Sequence, residues 1–202
     1  MSASAATPVS EPRRAAWLEG WWHRAEHKLS PNFNERPRSG AVSLVVLHSI
    51  SLPPGEHGGP YVEQLFLNQL DWDAHPYFGS IRGLKVSAHF LIRRTGKLLQ
   101  FVSCDQRAWH AGASSWRGRE NCNDFSVGIE LEGFEGTRFA PPQYKALATL
   151  LRALARRYPI AEIVGHEHVA PERKHDPGEG FDWPRLARAL RWRAARIPFA
   201  TR

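Results

Sequence analysis

Blocks of apolar residues along the chain predict strands and helices in mixed order. The run "SLVVLHSI" (43–50), which precedes the turn sequence "PPGEHGGP", predicts a buried strand. The runs "KVSAHFLIRR" (85–94) and "KLLQFVSC" (97–104) are joined by a short glycine-containing turn and therefore predict a β-hairpin. Two more strands are predicted over residues 124–133 and in the segment "EIVGH" (162–166).

Three helices are predicted between and after these strands. Pro60 suits the first position of a short helix over 60–70, and apolar residues recur at helical spacing over 142–158 and 183–197. Residues 17–40 carry aromatic side chains between turn residues, which predicts an irregular arm packed on the domain. The order of elements indicates an α/β (α+β) fold with a single mixed β-sheet flanked by helices.

Composition is typical of one globular domain. The chain has 202 residues, of which 42% are hydrophobic and 23% are charged. We predict a disordered tail over residues 1–16 and one domain over residues 17–197. No run of eighteen apolar residues is present and the N-terminus lacks the apolar part of a secretory signal, so a cytoplasmic protein is expected. Cys104 and Cys122 are expected to be free thiols.

The positive charge permits two interpretations. The formal net charge is +7, and five arginines recur partly at helical spacing in the last predicted helix: Arg185, Arg188, Arg191, Arg193 and Arg196. This spacing favours a solvated helix face. Basic ends are also found in proteins that bind nucleic acid, for which affinity depends strongly on salt.

Three polar residues at or after the ends of predicted strands have side chains that suit zinc. His48 lies near the end of the first strand, His166 follows the run "AEIV" and a glycine, and Asp176 lies in a loop ten residues later. A catalytic zinc site has three protein ligands and one open position, and zinc accepts both nitrogen and oxygen ligands. Spacing alone leaves His168 and His175 as alternative ligands.

The sequence also resembles a known family, the zinc N-acetylmuramoyl-L-alanine amidases, and within it the cytoplasmic branch that acts on anhydro-muropeptides. Four segments, in order and properly spaced, carry the resemblance: "VVLHSISLPPGEHGG", "KVSAHFLIRRTGKLLQFVSCDQRAWHAG", "NDFSVGIELEG" and "GHEHVAPERKHDPGEGFDW". It extends from about residue 19 to about residue 190. Bacteriophage amidase lysozymes and peptidoglycan-recognition proteins are more distant relatives, and their fold is expected here.

The resemblance implies a role for each matching residue. His48, His166 and Asp176 match the zinc ligands. Glu130 matches the general acid/base, which takes a proton from water and passes it to the leaving amine. Lys174 matches the residue that stabilises the transition state, and its charge would face the developing oxyanion. Zinc would lower the pKa of the attacking water and polarise the amide carbonyl.

A neighbouring carboxylate complicates the assignment of the general base. Glu132 is two residues from Glu130 and therefore lies on the same strand face, so only the resemblance ranks Glu130 first. A glycosidase that uses both carboxylates is disfavoured, because two adjacent carboxylates on one strand do not flank a bond.

Four further residues are candidates for substrate binding: Ser49, Lys85, Trp109 and Asn121. Trp109 and His110 match a family signature that lines the cleft, although core packing is the alternative for Trp109. Ser49 stands where enterobacterial relatives carry asparagine, and His168 replaces an acidic residue. Lys85 and Asn121 stand where those relatives carry arginines thought to engage carboxylates of the peptide, so the strength and selectivity of peptide binding are in doubt.

Three functions remain for comparison: a zinc amidase, a non-catalytic muropeptide sensor of the same fold, and a nucleic-acid-binding protein. Retention of every ligand, together with Glu130 and Lys174, argues against the sensor. The amidase is favoured. Its expected cofactor is Zn²⁺ and its expected partner is an anhydro-muropeptide substrate. We expect a monomer that binds neither nucleic acid nor a membrane.

Overall fold

The structure is a computed structural model, and it describes residues 16–38 and 41–200. The predicted tail over 1–16 therefore lies almost entirely outside the described residues. Within the described ranges, no helix has both the length and the apolar character needed to cross a bilayer.

The described residues form twelve strands, several of them only two residues long. They are β1 (Trp17–Leu18), β2 (Trp21–Trp22), β3 (Glu26–His27), β4 (Phe33–Asn34), β5 (Leu44–Ile50), β6 (Phe90–Ile92), β7 (Leu98–Gln100), β8 (Arg107–Ala108), β9 (Ser115–Trp116), β10 (Arg119–Glu120), β11 (Ser126–Glu132) and β12 (Glu162–Gly165). The α-helices of this region are α1 (Tyr61–Phe66), α2 (Pro76–Ser80), α3 (Pro141–Arg157), α4 (His166–Val169) and α5 (Trp183–Leu190). Two short 3₁₀ helices are also present, one at Cys122–Asp124 before β11 and one at Ala194–Arg196 after α5.

Six of these strands form one mixed sheet in the order β12-β5-β11-β6-β7-β3. Strands β12, β5, β11 and β6 run parallel to one another. Strand β7 runs antiparallel to β6, and β3 pairs with β7 in parallel. Helices flank the sheet, so the predicted fold class is confirmed.

The two central strands are buried on both faces. Val45 and Leu47 of β5 pack into the cluster that contains Leu147 of α3 and Leu186 of α5. Leu44 and Val46 alternate with them and pack in a second cluster on the other side. An unbroken apolar run is the pattern expected of a parallel strand covered on both faces, which explains why the strand was evident from the sequence.

Several boundaries differ from the sequence-based prediction. Helix α1 ends at Phe66 and α5 ends at Leu190, where Arg191 adopts a left-handed conformation with φ of 55°. The arm over 17–40 is more regular than expected, because β3 pairs with β7 at the edge of the central sheet. Helix α2 was not predicted. Both cysteines are free and buried, as expected.

Candidate metal centre and active site

Parallel strands bring the polar residues of the site to one edge of the sheet. His48 of β5 is the direct register partner of Glu130 in β11. His166 follows the last residue of β12 and begins α4. The loop that carries Asp176 returns to the same point, because the backbone N–H of Glu167 donates to the Asp176 carbonyl at 2.9 Å.

The side chains of His48, His166 and Asp176 converge in a buried cluster. The two Nδ1 atoms are 3.0 Å apart, and each lies 3.2 Å from Oδ2 of Asp176. Ligands at about 2.0–2.1 Å from a tetrahedral zinc ion are separated by about 3.3 Å. The spacing of the three donor atoms therefore fits zinc.

The hydrogen bonds behind the cluster also fit a cation. Nε2 of His166 lies 3.1 Å from the carbonyl oxygen of Ala111, which can only accept, so Nε2 carries the proton and Nδ1 presents a lone pair. Nε2 of His48 lies 3.0 Å from Nδ1 of His110. With its Nε2 proton donated there, His48 presents a lone pair at the cluster as well. Two nitrogen lone pairs and a carboxylate oxygen then face one another and repel. A cation bound between them would remove this repulsion.

Electrostatics favour the protonation states that a metal requires. Burial lowers the pKa of His48 to about 4, assisted by the neighbouring His166, so this imidazole is neutral at pH 7. Burial alone would raise the pKa of Asp176, but its close contacts with the imidazoles of His166 and His48 outweigh burial, and the pKa is lowered. Neutral imidazoles and an ionised carboxylate are the forms that bind zinc.

Glu130 and Glu132 have different surroundings although they share a strand face. Glu130 is buried, and its Oε2 atom has no hydrogen-bond partner among the described residues. Burial raises the pKa of Glu130 well above its usual range, Asp176 raises it further, and Lys174 opposes the shift. The Glu132 carboxylate instead accepts from Arg93 Nη1 at 2.6 Å and from two backbone N–H groups. The Glu132 carboxylate is therefore occupied by hydrogen bonds within the protein, whereas Oε2 of Glu130 is available in the described structure.

A cleft of about 420 Å³ opens over the cluster. Ser49, Trp109, Glu130 and Lys174 line it together with the three clustered residues. The indole N–H of Trp109 donates to Asn34 Oδ1 at 2.8 Å, so the ring is held at the wall of the cleft. Apolar side chains cover another part of the wall: Leu52, Leu65, Phe66, Ile81, Leu84 and Val86.

Two of the predicted substrate-binding residues lie outside this lining. Lys85 is exposed between Leu84 and Val86, which do line the cleft. Asn121 is exposed in a neighbouring depression, which it shares with Arg173. Arg173 lines both this depression and the cleft, so its side chain separates Asn121 from the cleft.

The two alternative histidines are not in the cluster. Nδ1 of His168 accepts from the backbone N–H of Gly165 at 2.8 Å, and its ring stacks on Phe199 with centroids 3.4 Å apart. His175 lines the cleft but does not converge with the other three residues. Spacing left both histidines open as ligands, and the described structure brings neither into the cluster.

His110 has a position that the sequence did not reveal. The resemblance placed it in the cleft lining beside Trp109, but its ring also reaches behind the cluster to His48. The backbone N–H groups of His110 and Ala111 both donate to Oδ1 of the buried Asn123. Nothing local in the sequence connects Asn123 or His110 with His48, since the contacts join distant parts of the chain.

Comparison with known proteins establishes the family. The family model described as N-acetylmuramoyl-L-alanine amidase (Amidase_2) matches residues 38–179. A curated relative, the 1,6-anhydro-N-acetylmuramyl-L-alanine amidase AmpD of Citrobacter freundii, is 53% identical over 174 residues, covering 85% of this chain and 92% of the relative. This chain belongs to the Amidase_2 family of N-acetylmuramoyl-L-alanine amidases.

Solved structures agree with this assignment. The crystal structure of a selenomethionine derivative of AmpD has a TM-score of 0.84 and 52% identity, covering 86% of this chain and 98% of that one. Escherichia coli AmiD, solved with the substrate anhydro-N-acetylmuramic acid-L-Ala-D-γ-Glu-L-Lys, has a TM-score of 0.54 and 27% identity, covering 78% of this chain and 65% of that one. The predicted amidase activity and the resemblance to the anhydro-muropeptide branch are thereby confirmed.

Proposed function

We propose that this protein is a zinc enzyme that hydrolyses the amide between 1,6-anhydro-N-acetylmuramic acid and the L-alanine of a peptide stem. The reaction would serve cell-wall peptidoglycan recycling in the cytoplasm. One observation carries the proposal: three lone-pair donors converge in a cleft beside the buried Glu130, whose Oε2 atom has no hydrogen-bond partner in the described part of the chain. The relatives support the substrate, since AmpD is named for the anhydro sugar and AmiD was solved with an anhydro-muropeptide.

His48, His166 and Asp176 would hold the zinc ion. When bound, zinc would polarise the carbonyl of the scissile amide and lower the pKa of the attacking water. The two histidines contribute neutral nitrogens and Asp176 contributes one negative charge, which leaves the site net positive and favours negative charge on the reacting oxygen. One position of a tetrahedral ion would remain open to the cleft.

Glu130 would transfer the proton. Its carboxylate lies beside His48 and has no competing partner among the described residues, so it is available to accept a proton from the attacking water. Its pKa is raised by burial, which makes it a stronger base than a solvated glutamate and a competent acid after protonation. The proton would then pass to the nitrogen of L-alanine as the amide bond breaks.

Lys174 would stabilise negative charge on the carbonyl oxygen. It lines the same cleft as Glu130 and His48, two residues from Asp176, and its charge opposes the rise in the pKa of Glu130. An ammonium has no lone pair and cannot bind the metal, but it can donate to an oxyanion.

The remaining binding residues divide into two groups. Ser49 and Trp109 border the cleft and would contact the substrate near the scissile amide. Lys85 and Asn121 lie outside the lining, so we propose that they act only on a part of the peptide stem that extends beyond the cleft. Asn121 has no charge where relatives carry an arginine, whereas Lys85 is still a cation. Asn121 should therefore contribute less to carboxylate binding than Lys85 does.

Metal analysis combined with mass spectrometry of an anhydro-muropeptide digest tests the proposal. We expect about one zinc ion per chain and release of the stem peptide. His48→Ala should abolish both, whereas the matched changes His168→Ala and His175→Ala should leave the metal in place. If either control empties the site while His48→Ala does not, the proposed ligand set is wrong.

A further inference from the structure

The two histidines of the cluster both donate their outer protons to one short segment of chain. Nε2 of His48 lies 3.0 Å from Nδ1 of His110, and Nε2 of His166 lies 3.1 Å from the carbonyl oxygen of Ala111. Adjacent residues thus contact both histidines from the side opposite the cluster. An outer partner of this kind fixes the tautomer and the ring orientation of a metal-binding histidine.

The segment is itself held rigidly. Oδ1 of Asn123, a residue that is only 5% exposed, accepts from the backbone N–H groups of His110 at 3.2 Å and of Ala111 at 2.8 Å. Arg173 Nη2 donates to the same Ala111 carbonyl at 3.0 Å. Both acceptors behind the cluster are therefore anchored by side chains from other parts of the chain.

The ring of His110 is oriented by a chain of hydrogen bonds. Ser126 Oγ donates to the carbonyl oxygen of Cys122 at 2.6 Å, so it accepts from Nε2–H of His110 at 3.2 Å. A proton on Nε2 leaves Nδ1 of His110 as an acceptor for His48. Every donor in this chain then has an acceptor, from His48 through His110 and Ser126 to Cys122.

Gly128 of β11 provides the space for this ring. A Cβ atom at position 128 would lie 2.4 Å from Cγ of His110, closer than real side chains approach. The central strand therefore leaves a gap beneath the site, and the imidazole fills it.

We propose that His110 is a positioning residue that acts through His48: it accepts the Nε2 proton and so directs the Nδ1 lone pair toward the metal. Both ring nitrogens of His110 are committed to protein atoms, so neither is left for the substrate. His110 therefore acts on the metal site rather than on the muropeptide. This inference rests on the zinc site proposed above.

Two substitutions separate the hydrogen bond from mere packing. His110→Leu fills similar space without an acceptor, whereas Oδ1 of His110→Asn occupies the same place along the side chain as Nδ1 and can accept from His48. The zinc dissociation constant of the full chain is measured by chelator competition. We expect His110→Leu to weaken zinc binding by about 10–100-fold and His110→Asn by no more than about threefold. Thermal unfolding of the zinc-free forms shows whether each variant folds.

Ser126→Ala is a second variant for the case in which His110→Leu does not fold. It removes the acceptor at the far nitrogen and leaves the imidazole in place, so the His110 proton is free to move to Nδ1. We expect zinc binding to weaken by about threefold or more, toward the range for outer partners. Unchanged zinc affinity in folded His110→Leu, or in Ser126→Ala, overturns the proposal, as does an equal loss in His110→Asn and His110→Leu.

Failure of the zinc site itself gives a different result. If the unsubstituted chain binds no zinc, or if His48→Ala keeps its zinc, the proposed ligand set fails before His110 is tested. If the unsubstituted chain binds zinc through His48 and folded His110→Leu binds it equally well, only the positioning role is wrong.

Discussion

Glu130 and His48 are direct partners across two parallel strands, β11 and β5. This pairing fixes the distance between a carboxylate and a histidine of the cluster through the backbone of the sheet rather than through a loop. A site built on strands is held more precisely than one built on loops, and precise placement favours proton transfer. The central sheet is therefore the element that aligns the proposed base with the proposed metal.

Glu130→Gln should retain zinc and lose most of its activity. The amide keeps the size and polarity of the side chain but cannot accept a proton from water. Proton transfer by a side chain contributes typically 10²–10⁴-fold, so we expect kcat to fall by about that factor. Steady-state kinetics on an anhydro-muropeptide, with metal analysis of the same sample, measure both effects.

Glu132→Gln is the matched control, because it changes the neighbouring carboxylate on the same strand face. Its carboxylate is engaged by Arg93 and two backbone N–H groups, so we expect zinc and most of kcat to be retained. An equal loss of activity from Glu132→Gln, with zinc and fold intact, would mean that the wrong carboxylate was chosen.

Lys174→Met should lower kcat and leave zinc content unchanged. The ammonium would interact with negative charge that develops during the reaction, and a neutral amide in the ground state offers it little. Loss of one oxyanion donor typically costs about 10²–10³ in kcat, and we expect that loss here with little change in KM. Lys145→Met, on the exposed side of α3, is the control and should behave like the unsubstituted chain. Near-normal kcat in Lys174→Met would contradict this role and would mean that zinc alone stabilises the oxyanion.

Glu132→Gln should also destabilise the fold in a pH-dependent way. Burial alone would raise the pKa of Glu132, but hydrogen bonds from Arg94, Gly58 and Arg93 outweigh it and the pKa is lowered. The ionised carboxylate therefore stabilises the folded state above the unfolded pKa of about 4.3, and this contribution is lost as pH falls through the folded pKa.

Chemical denaturation at several pH values measures this effect. Because Arg93 would lose one of its two carboxylate partners and keep Glu63, we expect Glu132→Gln to cost about 2 kcal/mol of unfolding free energy at pH 7. The difference from the unsubstituted chain should narrow at acidic pH. Glu26→Gln, which removes an exposed partner of Lys97, should change stability little. A constant difference at all pH values would contradict the assigned role of the carboxylate.

The sequence predicted those features of the fold that have a local cause. Strand β5 and helix α3 were evident because burial on both faces and a helical stripe each leave a periodic pattern. Strand β3 was not, since its two residues pair with Leu99 and Gln100 far along the chain. Helix α5 ends where Arg191 adopts a left-handed conformation. Glycine usually occupies such positions, so an arginine there gives no sequence signal for the helix end.

For the candidate site, too, the sequence indicates residue types, and the contacts between distant segments come from the fold. Residue types and family resemblance indicated His48, His166 and Asp176, but only the fold shows that His168 turns back to Gly165. Likewise, Glu130 and Glu132 are equivalent in strand periodicity, and they differ because Arg93 and two backbone N–H groups engage Glu132. The support of His48 by His110 depends on three separate segments meeting, which no pattern in one segment can reveal.

Refilling the metal-free protein with zinc tests the central claim most directly. Amide hydrolysis of an anhydro-muropeptide, followed by mass spectrometry of the released stem peptide, is measured while zinc is added in known amounts. The proposed site of His48, His166 and Asp176 predicts no turnover without metal, and a rise that stops at about one zinc ion per chain. Full activity in the metal-free protein, or none after refilling of correctly folded chain, would contradict the account.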